Sequence, residues 1–248
     1  MPTARIATSS GVQTGGYSEG TVSVDGDVYA IKDDDVELLP PCEARNVYCL
    51  GRNYQDYVDE NADIIDENLS HEAEIPDEID FFLKNQASVI SHGSAIPYPT
   101  FTDSVGYGGE LTAVIDTACK DVDVDDAREV IRGYTIMNDL TAKNQSGITK
   151  IKVFDGSAPL GPAIADVDPF TLEMRTTING DIRQQGTTED MYYGPYEAVS
   201  EISRRVTLYP GDVIAMGSPA NPGSISPGDE IEVWYEGIGT LRNRVVDS

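Results

Sequence analysis

Two segments rich in β-branched and apolar residues decide the fold class: ELTAVID at residues 110–116 and YTIMND at residues 134–139. Similar short segments occur at residues 80–84, 88–92, 176–180, 212–217 and 230–236, separated by Gly- and Pro-containing turns at 209–212, 220–229 and 235–239. Short apolar or alternating runs bounded by turn residues are typical of strands. Only residues 124–133 and 196–206 predict clear helices. The sequence therefore predicts a β-rich α+β fold and not a regular alternation of strands and helices.

The flanks of the first predicted helix contain residues that commonly end helices. Asp123 or Asp125 could cap its N-terminus, and Gly133 follows its end. We expect a helix between these residues.

The first part of the chain predicts a small β segment. In TVSVDGDVYAI, residues 21–31, Asp25-Gly26 lies between alternating valines, which predicts a hairpin. Val47 to Leu50 predict a buried strand, followed by a Gly-Arg-Asn turn. The acidic stretch that follows is weakly helical and predicts an exposed helix or a mobile lid.

Charge excludes two classes of partner. Asp and Glu total 43 against 17 Lys and Arg, giving a formal net charge of −26. Such a surface repels nucleic acid and anionic lipid, so we predict that neither is a partner. Because the carboxylates are scattered and not set at ligand spacing, they favour adaptation to a salt-rich cytosol. An ordinary acidic protein, or a buffer of cations, is the alternative.

Salt adaptation predicts that the folded state requires molar salt. Screening over roughly 3 Å at 1 M salt relieves the repulsion between surface carboxylates. The melting temperature followed by circular dichroism should therefore fall steeply as potassium chloride is removed by dialysis. Full stability at low ionic strength would contradict salt adaptation.

The chain carries no obvious membrane or export signal. No run approaches the roughly 20 apolar residues of a membrane helix, and the N-terminal residues lack the apolar core of a secretory signal. We therefore expect a cytoplasmic protein. Cys42, Cys49 and Cys119 have no metal-like or redox spacing, which predicts reduced structural thiols.

Eight segments, in order, resemble the fumarylacetoacetate hydrolase family. The first is CLGRNYQDYVDEN, which is similar to the family's G-R-N-Y-x-x-H-x-x-E segment. The others are DFFLKNQASVI, GGELTAVI, GYTIMNDLTAKN, KVFDGSAPLGP, TINGDIRQQGTTEDM, YPGDVIAMGSPA and ISPGDEIEVWYEGIGTLRNRVV. The resemblance implies a rolled mixed β-sheet in a catalytic domain at residues 45–248, after a small N-terminal β segment at residues 1–44. It also implies a homodimer and a Mg²⁺ or Mn²⁺ ion that binds a small 2-oxo acid.

The same resemblance implies the metal ligands. The family uses a Glu-x-Glu on one strand, where residues i and i+2 share a face, and an Asp on another strand. Here Glu110 matches the second Glu and Asp139 matches the Asp, but Gly108 replaces the first Glu. One carboxylate of three is missing, so we expect weak metal binding.

The segment that activates water in the family is also altered. The family's His–Glu pair corresponds to Tyr57 and Glu60. A tyrosine with a pKa near 10 is a poor general base at neutral pH. His71 could substitute for the missing histidine or be merely solvated, and His92 is interpreted as structural.

The remaining candidates also come from the resemblance. Lys152, with Lys150 as the nearby alternative, matches a catalytic lysine that can stabilise an enolate. The predicted substrate-binding residues are Arg52, Lys143, Gln145 and Ser218. Lys143 stands where the family usually has Arg, so it keeps the charge but loses the bidentate fork. The alternative for each residue is a structural polar group.

Two hypotheses of function follow. The first is a metal-dependent enzyme that acts on a small 2-oxo acid through an enolate. Acylpyruvate hydrolysis, oxaloacetate-type decarboxylation, hydration and isomerisation all share that intermediate. The second is a catalytically weakened homologue, because of Gly108 and Tyr57, that binds a ligand or serves as a partner subunit. Loss of the histidine affects hydrolysis most, which favours a non-hydrolytic enzyme.

Overall fold

The computed structural model describes residues 1–33, 35–60, 74–220 and 223–248. The strands in these ranges are β1 Thr3–Thr8, β2 Gly11–Ser18, β3 Thr21–Val24, β4 Asp27–Ala30, β5 Glu37–Leu39, β6 Val47–Leu50, β7 Phe81–Lys84, β8 Val89–Ser91, β9 Ala95–Pro97, β10 Val105–Gly106, β11 Gly109–Ile115, β12 Ile131–Asn138, β13 Thr141–Ala142, β14 Ala158–Ala165, β15 Glu173–Ile178, β16 Asp181–Thr187, β17 Val213–Ala215, β18 Glu230–Tyr235 and β19 Gly239–Val246. The helices are α1 Gln55–Glu60, α2 Ala127–Val130, α3 Ile148–Lys152 and α4 Pro195–Arg205.

Most strands belong to two sheets. A 12-stranded mixed sheet has the order β4-β3-β2-β1-β14-β12-β11-β17-β6-β7, with β5 paired to β1 and β8 paired to β14. A five-stranded sheet has the order β16-β15-β18-β19-β9, and β10 pairs with β13. The predicted β-rich α+β class is confirmed.

The centre of the large sheet is buried on both faces. All of β11 is buried, and alternate side chains therefore enter different apolar clusters. Leu111 packs in one cluster with Tyr134 and Ile136, whereas Val114 packs in the other with Met137. Residues of even number on β11 thus face the same side as Met137.

The prediction of a helix over residues 124–133 is largely wrong. After a 3₁₀ turn at Val124–Asp126, α2 spans only four residues, and Asp123 forms no side-chain cap. Ile131 already pairs with Ile115 in the sheet, and Gly133 lies inside β12. Sheet pairing of this β-branched stretch therefore overrides its helical pattern.

The second predicted helix is confirmed as α4. The Glu197 carboxylate accepts a hydrogen bond from Gly194 N at 2.8 Å, and Arg204 and Arg205 lie in the last turn. Both features stabilise the helix ends.

The N-terminal hairpin and the strand Val47–Leu50 are also confirmed. β3 pairs with β4 across Asp25 and Gly26, and both turn residues have positive φ as a tight two-residue hairpin requires. β1 joins this segment to β14, with Thr3 opposite Ile164. Strands from residues 1–44 therefore share a sheet with strands of the main domain.

The three cysteines are free thiols, two of them buried. In the part of the chain that the structure describes, no helix has both the length and the apolar composition needed to cross a membrane.

Candidate active site

A cavity of about 130 Å³ opens where β6 and β12 end and β11 begins. Antiparallel pairing of β11 with β12, and parallel pairing of β17 with β6, bring these strand ends together. The predicted side chains that line it are Arg52, Tyr57, Glu110, Asp139, Lys143, Gln145, Lys152 and Ser218. The structure thus brings together all predicted site residues except Glu60, while their roles stay predictions.

Register places the two predicted metal carboxylates on one face. Glu110 lies opposite Met137, and Asp139 N donates to Gly108 O at 2.8 Å. Gly108, Glu110 and Asp139 therefore face the same side of the sheet. Both carboxylates are buried, with 3% and 5% of their residue surface exposed for Glu110 and Asp139.

Asp139 lies between two lysine ammonium groups. Its Oδ2 binds Lys152 Nζ, and its Oδ1 lies 2.9 Å from Lys84 Nζ. Burial alone would raise the pKa of the Asp139 carboxyl, but the charges of Lys152 and Lys84 outweigh burial and hold the pKa below its usual range. Asp139 is therefore a permanent anion.

Lys152 is correspondingly a permanent cation at the cavity wall. Its Nζ also donates to Thr141 Oγ1 at 2.8 Å. Burial opposes the charge, but Asp139 more than compensates and raises the Lys152 pKa above its usual value. Lys152 thus serves better as a fixed positive charge than as a proton acceptor. Lys150, the alternative candidate for the catalytic lysine, is exposed.

Lys84 was missed by the sequence analysis. Its side chain is completely buried, and Nζ donates to the backbone oxygens of Lys152 at 2.7 Å and of Leu140 and Ser157 at 3.0 Å. Burial lowers the Lys84 pKa. One ammonium group therefore joins β7 to the segments that carry Asp139 and Lys152. The only signal in the sequence is a lysine that ends the apolar strand FFLK.

Glu110 has no basic partner among the described residues. Its Oε2 accepts a hydrogen bond from Gly217 N at 2.9 Å. Burial, and then the charge of Asp139, raise the Glu110 pKa to about 8 from 4.5. The site therefore holds one carboxylate in direct contact with two lysines and one that forms no salt bridge among the described residues.

The raised pKa of Glu110 predicts a specific pH dependence of stability. The Glu110 carboxyl ionises near pH 4.5 in the unfolded state and near pH 8 in the folded state. Its ionisation therefore lowers the free energy of unfolding progressively as the pH rises from 4.5 to 8. Glu110→Gln should have the same free energy of unfolding as the parent near pH 4.5. At pH 8.5, with chelator present, its free energy of unfolding should be higher by more than about 1.4 kcal/mol, which corresponds to one pKa unit.

Urea unfolding of both proteins across this range, in constant high salt, measures the difference. The difference between the two proteins excludes the effect of the many surface carboxylates, because these are the same in both. A constant difference between pH 5 and pH 8.5 would contradict the assignment.

The donor set fits a divalent cation that keeps most of its water. In the ranges that the structure describes, no three His, Cys, Asp or Glu side chains are grouped as ligands. Mg²⁺ is nevertheless commonly held by one or two carboxylates and completes its octahedron with water and substrate. Glu110, which forms no salt bridge with a described residue, and Asp139, whose two oxygens also contact Lys84 and Lys152, are the two hard oxygen donors that such an ion would bind.

The predicted activating pair is not assembled. Tyr57 lines the cavity, and burial raises its pKa, so the phenol stays protonated and can donate a hydrogen bond. Glu60 is exposed and outside the lining. Val58 is the buried residue of α1, and Glu60 lies about 200° further around the helix, which directs it to solvent. His71 lies outside the described residues.

The Gly-Arg-Asn turn has a clear structural function. Arg52 has a positive φ of 51°, and its guanidinium contacts Asp80 and Glu74 O, each at 3.3 Å. Asn53 Nδ2 donates to Tyr193 O at 2.9 Å and to Met216 O at 2.8 Å, and Asn53 Oδ1 accepts from Tyr193 N at 2.8 Å. Both residues line the cavity, where Asn53 is joined to Tyr193 and Met216, and Arg52 is joined to residues 74–80.

Three further polar side chains line the cavity. Lys143 Nζ donates to Gly223 O at 2.7 Å, and burial lowers its pKa. Gln145 Nε2 donates to Phe101 O at 2.8 Å. Ser218 Oγ donates to Pro219 O at 3.2 Å and accepts from Gln184 Nε2 at 3.4 Å. Lys143 makes no ion pair with a described carboxylate, which makes it the most suitable anchor for an anion.

The chain is similar to known proteins over nearly all of its length. Residues 46–246 match the model of the fumarylacetoacetate (FAA) hydrolase C-terminal family. An uncharacterized protein of Archaeoglobus fulgidus is 36% identical over 245 residues, covering 95% of this chain and 94% of that protein. The structure of 5-carboxymethyl-2-hydroxymuconate delta-isomerase from Mycobacterium smegmatis is similar with a TM-score of 0.86 and 34% identity, covering 100% of this chain and 99% of that one.

A hydrolase is also among the similar structures. Fumarylacetoacetate hydrolase from the psychrophilic Exiguobacterium antarcticum has a TM-score of 0.79 and 28% identity, and the match covers 100% of both chains. The similar structures thus include an isomerase and a hydrolase on one fold. On the match over residues 46–246 and the full-length likeness to these proteins, the chain belongs to the fumarylacetoacetate hydrolase family.

Proposed function

We propose that this protein is an enzyme that converts a small 2-oxo acid through an enolate. The observation that carries the proposal is the fixed cation Lys152, held by Asp139 and Thr141 at the wall of a small cavity. A preorganised positive charge in a buried site stabilises negative charge that develops during a reaction. The family's isomerases and hydrolases agree with this kind of chemistry.

The side chains of the cavity suggest a division of tasks. Lys143 and Ser218 would bind the substrate carboxylate, and the Tyr57 hydroxyl would donate a hydrogen bond. When C3 of the substrate loses carbon dioxide, or a proton to solvent, the pair of the broken bond forms the C2–C3 double bond. The π pair of the keto group moves onto its oxygen, where the Lys152 ammonium stabilises the new negative charge. Glu110 and Asp139 would hold a Mg²⁺ or Mn²⁺ ion, which supplies Lewis acidity when bound.

Tyr57 favours isomerisation or decarboxylation over hydrolysis. Hydrolysis needs a base to activate water, and a phenol whose pKa is raised by burial does not accept a proton readily near neutral pH. Isomerisation and decarboxylation need the stabilised enolate but no activated water. A homodimer in the cytoplasm is the proposed working form.

A single pair of variants tests the proposal. The protein in high salt with Mn²⁺ would be assayed for oxaloacetate decarboxylation, enol–keto isomerisation of 2-hydroxydienoates and acylpyruvate hydrolysis. Lys152→Met should lower kcat by about 100-fold or more, as loss of a charge-stabilising group does. Lys150→Met, an exposed lysine on the same helix, should match the parent.

The second candidate function is a weakened homologue that binds a ligand without turnover. Gly108 favours it, because the position of the first family carboxylate has no side chain. Oxalate, which mimics an enolate, would then bind with no activity on any substrate class. Activity that is equal in Lys152→Met and the parent would contradict the enzyme proposal.

A further inference from the structure

The buried amide of Gln184 connects two segments that border the candidate active site. Gln184 lies on β16, at the edge of the five-stranded sheet, and only 2% of its surface is exposed. Its Oε1 accepts hydrogen bonds from Gly109 N at 3.1 Å and from Thr176 Oγ1 at 2.9 Å. Its Nε2 donates to Pro219 O at 2.8 Å and to Ser218 Oγ at 3.4 Å. One side chain therefore joins the start of β11 to the segment that carries Ser218.

Two of these partners fix the orientation of the amide. A backbone N–H only donates, so the amide atom that faces Gly109 N must be the oxygen. A carbonyl only accepts, so the amide atom that faces Pro219 O must be the nitrogen. Reversing the amide would break both bonds and leave buried polar groups without partners, which is costly. The Nε2 group is therefore held beside Ser218 as a donor.

The orientation of the amide decides how the Ser218 hydroxyl is used. Because Ser218 Oγ accepts from Gln184 Nε2, its own hydrogen is directed to another acceptor, which is Pro219 O at 3.2 Å. The same carbonyl also accepts the shorter bond from Gln184, at 2.8 Å. Ser218 can therefore turn its hydrogen to a ligand without leaving the buried Pro219 carbonyl unpaired.

The Ser218 hydroxyl lies on the side of β11 that carries Glu110. A Cβ added to Gly108 would lie 2.8 Å from Ser218 Oγ and 3.7 Å from Glu110 Oε1, so the hydroxyl borders the space above Gly108. Ser218 lines the cavity, and Gln184 is not among the described residues that do. Gln184 thus lies behind the hydroxyl, from where it can act on a ligand through Ser218 and not by contact.

We propose that Gln184 is a positioning residue that presents the Ser218 hydroxyl as a hydrogen-bond donor to the carboxylate of the 2-oxo acid. The proposal rests on the proposed function, in which Ser218 binds that carboxylate. An ionised carboxylate only accepts hydrogen bonds, so it requires a hydroxyl whose hydrogen is free to turn towards it. Without the amide, the Pro219 carbonyl competes for that hydrogen, and the affinity for the ligand falls.

A double-mutant cycle with Ser218 tests the proposal. Oxalate, which carries the same carboxylate group, would be titrated by calorimetry into the full chain in high salt with a constant concentration of Mn²⁺. Ser218→Ala should weaken oxalate binding by at least about tenfold, as loss of a hydrogen bond to a charged group does. Gln184→Met should weaken it about three- to tenfold in the parent. In Ser218→Ala the same change should weaken it by less than about 1.5-fold, because the hydroxyl through which Gln184 acts is absent.

Thr176→Val is the matched control. Thr176 is completely buried and donates to the same amide oxygen, but none of the hydrogen bonds among the described residues joins it to Ser218. Gly109 N still fixes the amide in this variant. Thr176→Val should therefore lower the free energy of unfolding and bind oxalate as the parent does.

Gln184→Glu keeps the experiment decisive if the methionine variant does not fold. It has the same shape and keeps an acceptor for Gly109 N, but its second oxygen accepts the Ser218 hydrogen where the amide nitrogen donated. Its repulsion of oxalate is present with and without the Ser218 hydroxyl, so it cancels in the cycle. Gln184→Glu should weaken oxalate binding at least about threefold more in the parent than in Ser218→Ala.

The possible failures of the positioning role and of the proposed function are distinguishable. Equal weakening by the Gln184 variants with and without the Ser218 hydroxyl would show that Gln184 only supports the fold. An unchanged affinity in Ser218→Ala would show that the hydroxyl does not bind the carboxylate. Both results would overturn the positioning role and leave the proposed function standing on Lys152. Failure of oxalate to bind the parent would overturn both.

Discussion

Replacing Lys84 with methionine should lower the free energy of unfolding by about 3–5 kcal/mol, the usual cost of removing one partner of a buried ion pair. The methionine keeps the length of the side chain but donates to none of Leu140 O, Lys152 O and Ser157 O. It also leaves Asp139 with one lysine in place of two. Urea unfolding in molar salt measures the loss.

Lys150→Met is the control for the loss of one positive charge, because Lys150 is exposed and should change stability by less than about 0.5 kcal/mol. Lys84→Gln retains a hydrogen-bond donor group, so its free energy of unfolding should lie between those of the methionine variant and the parent. It keeps the experiment decisive if the methionine variant does not fold. A loss below about 1 kcal/mol for both Lys84 variants would show that the ammonium group does not join these segments.

Restoring the missing carboxylate should tighten divalent cation binding by at least about tenfold, or 1.4 kcal/mol. The φ of Gly108 is not positive, so its backbone accepts a side chain. An added Cβ would lie 2.8 Å from Ser218 Oγ and 3.7 Å from Glu110 Oε1. Gly108→Glu therefore needs Ser218→Ala beside it, which removes the one close contact.

Gly108→Gln with Ser218→Ala is the matched control, since it has the same size and lacks the charge. Mn²⁺ binding by calorimetry, and the rise in melting temperature with Mn²⁺, measure the difference. Adding Tyr57→His to the glutamate variant should raise acylpyruvate hydrolysis or oxaloacetate decarboxylation above the Ser218→Ala single variant, which carries the same loss of the Ser218 hydroxyl. A folded variant that gains neither affinity nor activity would favour the non-catalytic homologue.

The strands were predictable because their signal is local. ELTAVID and YTIMND contain the apolar pattern that the sheet buries, and pairing of their ends places Glu110 near Asp139. β14 was not predicted, since APLGPAIA contains Pro159 and Pro162. It is a central strand because its neighbours on both sides bury it completely, which is a property of the tertiary structure.

The candidate site, too, was predictable only where its signal is local in the sequence. Family spacing identified Asp139 and Lys152, but the resemblance says nothing about the buried Lys84 that supports both. Lys84 is 55 residues before Asp139 in the sequence, so only the folded chain reveals their contact. The structure places Glu60 outside the cavity lining, because matching a motif position does not fix which face of a short helix a residue occupies.

The pairing of β1 with β14 and of β6 with β17 has a consequence for biosynthesis. Thr3 lies opposite Ile164, and Val47 lies opposite Val213. A nascent chain therefore cannot close the large sheet until nearly all of it has left the ribosome, and contacts of such wide sequence separation form slowly. During translation the N-terminal strands wait with open edges, where their hydrogen-bonding groups are available to other chains. A heavily acidic chain discourages such encounters by repulsion. The same charge that we predict to destabilise the folded state at low salt would thus keep unfinished chains apart from one another.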